Sequence, residues 1–146
     1  MTGAALAAPV PVLTMEGDGT VLLGRLEDGA PLRYLYRQSI YDVPVREEFV
    51  RSADALDLLR VRSPDIRSIE YFRWDGDISQ DADGQYTEDA PPSEHPELVI
   101  RVTALGQQRI ATDTWSVILR ERFGESIVTA RVGHRPLLLV LLRGVR

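Results

Sequence analysis

Residues 126–142, SIVTARVGHRPLLLVLL, constrain the fold more than any other stretch, because they are the most apolar part of the chain and lie almost at its end. Ile127, Val128, Ala130 and Val132 read as one strand and Gly133-His134-Arg135 as a hairpin loop. Pro136 then opens a second, central strand of six consecutive apolar residues, Leu137 to Leu142. A short loop containing Gly suits a hairpin, and Pro at the first position of a strand removes no interior ladder donor. An unbroken apolar run of this length implies cover on both faces, and it is too short to cross a bilayer. A buried helical turn is the alternative, since periodicity does not separate the two in so short a run.

The 146 residues fit a single domain, large enough to bury most of its apolar side chains without a staple. The chain has no Cys, which excludes disulfides, thiolate metal sites and thiol nucleophiles. His95 and His134 are the only histidines, too few for an ordinary zinc site, so neither metal nor cofactor is expected. Residues 1–9 are apolar but lack a basic segment and a sustained apolar core, so they read as a loose tail rather than a secretory signal, and a cytoplasmic protein is expected. Net charge is −5 and all 17 basic residues are Arg. Each positive group is therefore a planar fork suited to carboxylate or phosphate. The acidic balance speaks against nucleic acid and nothing points to a membrane, while small anions and a homodimer stay open.

In chain order, residues 10–26 set two apolar segments around the turn Gly17-Asp18-Gly19-Thr20. Strand and helix both fit the second segment, where Asp18 or Thr20 is placed to cap a helix carrying Leu22, Leu23 and Leu26 on one face. Residues 32–38 alternate as a half-buried strand, with Leu32, Tyr34 and Tyr36 opposite Arg33, Leu35 and Arg37. Residues 45–61 predict a helix from the stripe Phe49, Ala53, Leu56 and Leu59, with Arg60 and Arg62 complementing its dipole and Pro64 ending it. Residues 68–74 predict a strand. Residues 75–97 are acidic and rich in Gly, Pro and Ser, a long loop or insertion. There Asp81, Asp83 and Gly84 imitate part of a calcium loop, yet with Gly84 in sixth place Ser79 is first and Ala90 twelfth, where acids belong, so a solvated acidic loop is the reading. Residues 98–105 predict a strand with Leu98, Ile100 and Val102 on one face and Arg101 on the other. Residues 109–117 return antiparallel, and 118–123 turn helical before Gly124. Neighbouring strands with few helices predict an α+β domain, an antiparallel sheet with one or two helices packed on it.

Neither histidine sits in a nucleophile-elbow setting, and Gly17-Asp18-Gly19 is too short for a phosphate loop. Arginine remains. A guanidinium amid an apolar strand is paired, exposed or facing a ligand, so Arg101 either binds an anion or pairs with an acid such as Glu70 or Asp113.

Three segments stand in order along the chain: Asp18-Gly19-Thr20 with Leu23, Leu26, Glu27 and Arg37-Gln38; Arg101 through Ala111-Thr112-Asp113-Thr114; and Gly133-His134-Arg135-Pro136-Leu137-Leu138-Leu139. Together they resemble the chorismate lyase family, whose fold is shared by effector-binding domains of some bacterial transcription regulators. The resemblance implies an antiparallel sheet enclosing a small-molecule site, with Arg101 holding a carboxylate and Thr20 and Arg109 binding substrate beside it. Leu141 stands where the lyases carry a Glu, so it implies a changed reaction, a cofactor-independent lyase, isomerase or cyclase. Asp113, with Glu70 and Tyr71 as further candidates by strand neighbourhood, would then move the proton. The other expectation, from a different class, is a non-catalytic ligand-binding or structural assembly subunit. A solvent-filled cavity beside Arg101 favours the enzyme, and one filled by side chains favours the subunit.

Overall fold

The computed structural model describes residues 3–145. A short helix, α1 (Gly3–Ala7), leads directly into β1 (Pro9–Gly17), so the expected loose tail has regular structure from residue 3; residues 1–2 of it lie outside the described residues. β1 turns into β2 (Thr20–Arg25) through Asp18 and Gly19, both at positive φ, 47° and 73°. A two-residue turn of this kind matches the twist of its strands, and it makes residues 20–25 a strand rather than a capped helix.

β3 (Pro31–Gln38), β4 (Val43–Ser52) and β5 (Ala55–Ser63) follow as a meander. The helix expected over 45–61 is absent, because Ala53 takes positive φ in a tight turn that folds β5 back on β4. Phe49 and Leu56 are both buried as the stripe required, but on facing strands, and Leu59 is exposed beside a bulge in the pairing. Residues 68–74 are not a strand either. Asp65 caps α2 (Ile66–Glu70) by accepting from the Arg67 amide at 3.0 Å, an N-cap bond that starts a helix just after the Pro that stops the strand.

The acidic stretch 75–97 is ordered rather than loose. It folds as β6 (Ser79–Gln80), β7 (Tyr86–Asp89) and β8 (Glu94–His95), with Gly84 at positive φ in the turn between the first two. β9 (Glu97–Arg101) falls within the strand expected over 98–105 but stops at Arg101. The residues expected to return antiparallel to it form instead a separate hairpin, β10 (Arg109–Ala111) and β11 (Ser116–Ile118), that pairs with β3 in the other sheet. α3 (Leu119–Phe123) is the expected helical turn.

The terminal hairpin does not form. β12 (Ile127–Pro136) runs unbroken through Gly133, His134 and Arg135, which pair with Val12, Pro11 and Val10 of β1. The leucine run becomes α4 (Leu137–Arg143), which lies over β2 and buries Val140 against Val12 and Leu23. The two prolines Pro9 and Pro136 end the ladder opposite each other, so the run has no strand to join and winds into a helix with Leu138, Leu139, Leu141 and Leu142 exposed.

Every strand pair is antiparallel, in two sheets. The smaller has the order β2-β1-β12-β9 and the larger β11-β10-β3-β4-β5-β7-β6, with β8 added to β5. Their inner faces share one core, in which Leu13, Met15, Val128 and Ala130 of the small sheet meet Leu32, Phe49, Leu56 and Ile110 of the large one. The protein is thus a small α+β domain, mostly antiparallel sheet with a few short helices. No helix among the described residues is long and apolar enough to cross a membrane.

Candidate functional site: an arginine cleft on the large sheet

Alternation along β3, β4, β5 and β10 sends one set of side chains into the core and the other outward. On the outer face the pairing register puts Arg109, Leu35, Arg46 and Arg62 in one row across four strands. Arg37, two residues beyond Leu35, shares that face. These residues, with Tyr36, Asp83 and Gln107, line a cleft of about 420 Å³. Four guanidinium groups and one carboxylate, that of Asp83, line the cleft itself.

Three of the four are held by acids at the rim. Arg37 binds Asp42, whose carboxyl is pushed below its ordinary range by that hydrogen bond. Arg46 lies 2.9 Å from Glu48, and Arg62 reaches Asp81 and, at 3.5 Å, Asp83. The two aspartates that imitated a calcium loop thus serve as counter-charges for Arg62. Arg109 is exposed and makes no ion pair among the described residues. Arg62 Nε is buried with no hydrogen-bond partner, and it is the exposed Arg109 that gives the cleft donors not taken up by an acid among the described residues.

Behind this row, on the core side, Tyr36 donates to the half-buried Glu47 carboxylate at 2.9 Å and stacks on Tyr34 with ring centroids 4.9 Å apart. Burial raises the Glu47 carboxyl above its ordinary range, and the Tyr36 hydrogen bond only partly opposes it. Burial, and then the Glu47 charge, raise both tyrosines. A carboxyl raised on folding leaves the fold unpenalised below its unfolded pKa and weakens it as pH rises through the folded value. Glu47→Gln keeps an acceptor for Tyr36 without the charge. Its melting temperature is expected to exceed that of the wild type at pH 7 and to converge with it in acid; a variant less stable at pH 7 would show that the charge itself stabilises the fold. A second cleft, about 540 Å³ and largely apolar, shares Tyr36 and Arg37 and is closed by Ile40, Tyr71, Phe72 and Leu105.

Of the four residues expected at the site, only Arg109 lies in the arginine cleft. Arg101 is exposed on the outer face of the small sheet, outside both clefts, and pairs with neither Glu70 nor Asp113. Asp113 instead accepts from Arg33 at 2.9 Å at the β10–β11 turn, and Thr20 sits at the β1–β2 turn. Arg37, Arg46 and Arg62 were not singled out in advance. The alternation of residues 32–38 carried the signal for Arg37, and a period-two reading of 43–52 and 55–63 would have added the other two. No groups of histidine and carboxylate suited to a metal ion occur among the described residues. No protein-family model, curated protein or solved structure matches the chain.

Proposed function

We propose that the protein binds a small organic anion, of the carboxylate class, in the arginine cleft of the large sheet, as a cytoplasmic ligand-binding domain working without metal or cofactor. The observation that carries this reading is Arg109, a guanidinium that makes no ion pair among the described residues, beside Arg46, Arg62 and Arg37. Planar forks converging on one cleft suit a carboxylate better than a point charge does. The core between the sheets is filled by side chains and Arg101 faces away from it, which favours binding over the lyase-like arrangement.

A cofactor-independent lyase, isomerase or cyclase acting on the same anion is the second reading. It rests on Glu47 and Tyr36, an acid of raised pKa joined to a phenol that forms part of the cleft wall. A chorismate-lyase-like relation belongs to this reading.

Thermal-shift titration with a panel of carboxylates, including chorismate and 4-hydroxybenzoate, tests both, because a ligand of the native state raises the melting temperature by mass action. Arg109→Ala should weaken binding by about 10- to 100-fold, the range for a lost charged hydrogen bond, and leave the ligand-free melting temperature unchanged. Arg101→Ala should bind as the wild type does. No stabilisation by any anion, or equal binding by Arg109→Ala, would remove the proposal, and turnover of a bound anion that is lost in Glu47→Gln would select the second reading.

A further inference from the structure

We propose that two copies of the chain pair through the open edge of β9, joining their small sheets into one continuous antiparallel sheet. The backbone directions come from the ladder itself. The Val102 amide donates to Ser126 O at 2.8 Å, toward β12. Alternation then turns the main-chain groups of Leu98 and Ile100 to β12 and those of Glu97, Val99 and Arg101 to the outside. The same three residues present their side chains to solvent, with Val99 62% exposed, while Ile100 is buried.

The order of residues makes this edge complementary to itself. Antiparallel pairing centred on Val99 sets Val99 against Val99, Leu98 against Ile100 of the second copy, and Glu97 against Arg101 of the second copy, twice over by symmetry. Opposite charges directly across strands are favourable and like charges are not. Arg101 makes no ion pair among the described residues, and Glu97 uses one carboxylate oxygen on Arg131 at 2.7 Å. The Arg101 carbonyl already accepts from Gln108 Nε2 at 3.0 Å. It has a second lone pair, and the Gln108 side chain stops the pairing from extending further.

The other terminal strands of the two sheets are closed or short. The main chain of β2 is met by the C-terminal segment, where the Val145 amide donates to Leu23 O at 2.9 Å and Gly144 bridges Leu23. The large sheet ends in β11 and β6, of three and two residues. β9 carries none of the usual devices against edge pairing, neither Pro, nor bulge, nor a charge of one sign. A symmetric contact of this kind closes as a dimer and leaves no further open end in the joined small sheets.

Sedimentation equilibrium of the full chain over micromolar to millimolar concentrations tests the pairing. A monomer–dimer equilibrium that weakens with added salt is expected, and a monomer throughout would overturn the proposal. Arg101→Glu should raise the dissociation constant at least about tenfold by setting like charges opposite each other, and the double variant Glu97→Arg with Arg101→Glu should recover most of the loss. Val99→Pro removes a central outward amide that the monomer does not use, and should abolish the dimer with the circular dichroism spectrum retained. Dimerisation of Arg101→Glu or Val99→Pro at wild-type strength would overturn the proposal and turn attention to the exposed leucines of α4.

Discussion

Replacing Arg51 by alanine is expected to lower the free energy of unfolding by about 3 kcal/mol, although no acid is lost with it. Arg51 lies on β4 with 2% of its surface exposed, and its partners are all main-chain carbonyls: Leu26 O at 2.5 Å, Ala53 O at 3.2 Å and Gly133 O at 3.3 Å. These acceptors belong to the loop after β2, the β4–β5 turn and β12. One planar fork therefore ties three separate segments and both sheets together, a geometry that a flexible ammonium does not reproduce. Its main chain adds two more ties, accepting from the Gly29 amide at 2.8 Å and donating to Ala30 O at 3.1 Å. Without the guanidinium, partly buried carbonyls lose charged donors and the stem leaves a void. Urea unfolding of Arg51→Met separates the two contributions, since methionine refills the stem but supplies no donor. A loss within about 0.5 kcal/mol of zero for Arg51→Met would mean that water replaces the guanidinium and that the tie is not structural.

Arg51 also shows why part of this fold was hidden in the chain. On β4 the inward positions are Val45, Glu47, Phe49 and Arg51. Two of the four are charged, so the period of two is invisible to a reading of hydrophobicity, while Phe49, Ala53, Leu56 and Leu59 happen to keep helical spacing across a turn. Where inward positions are apolar, as in Leu32, Tyr34 and Tyr36 of β3 or Leu98, Ile100 and Val102 near β9, the face assignment agrees with the structure. The leucine run of α4 failed for the opposite reason. Six apolar residues in succession carry no period, and only the facing prolines Pro9 and Pro136, a tertiary fact, make the run a helix.

The candidate site followed the same division. Arg109 was named only as a substrate-binding residue that the family resemblance implies, and a row of arginines drawn from β3, β4, β5 and β10 depends on register, which no one segment specifies. Arg101 was singled out as a guanidinium in an apolar strand that either binds an anion or pairs with an acid, and it lies in neither cleft and pairs with neither Glu70 nor Asp113. Its position is explained by the outer face of an edge strand, where exposure removes the need for a partner within the chain. The acids of residues 75–97 looked like solvated charge because their partner, Arg62, lies on β5, 19 residues before Asp81.

The second large effect is expected at the contact between Gly24 and Trp115, which joins the β2 edge of the small sheet to the β10–β11 hairpin at the end of the large one. The indole packs within the main core and donates from Nε1 to Arg25 O at 2.7 Å. Gly24 lies beneath the ring, so close that a Cβ there would stand 2.3 Å from Cζ2 and 2.6 Å from Cε2. The φ of Gly24 is not in the left-handed region, so the requirement for glycine is one of space, and the ring is too confined by the core to retreat. Gly24→Val is expected to cost about 3 kcal/mol through overpacking, and Trp115→Ala about 3–5 kcal/mol through the lost contacts and cavity. The two costs should not add, because removing the indole frees the volume that valine needs. A double-mutant cycle by chemical denaturation should therefore give a favourable coupling of about 1–3 kcal/mol. Strict additivity would mean that the chain relieves the Gly24 clash by moving β2 instead of the ring, and that Trp115 is not what holds the two sheet ends together.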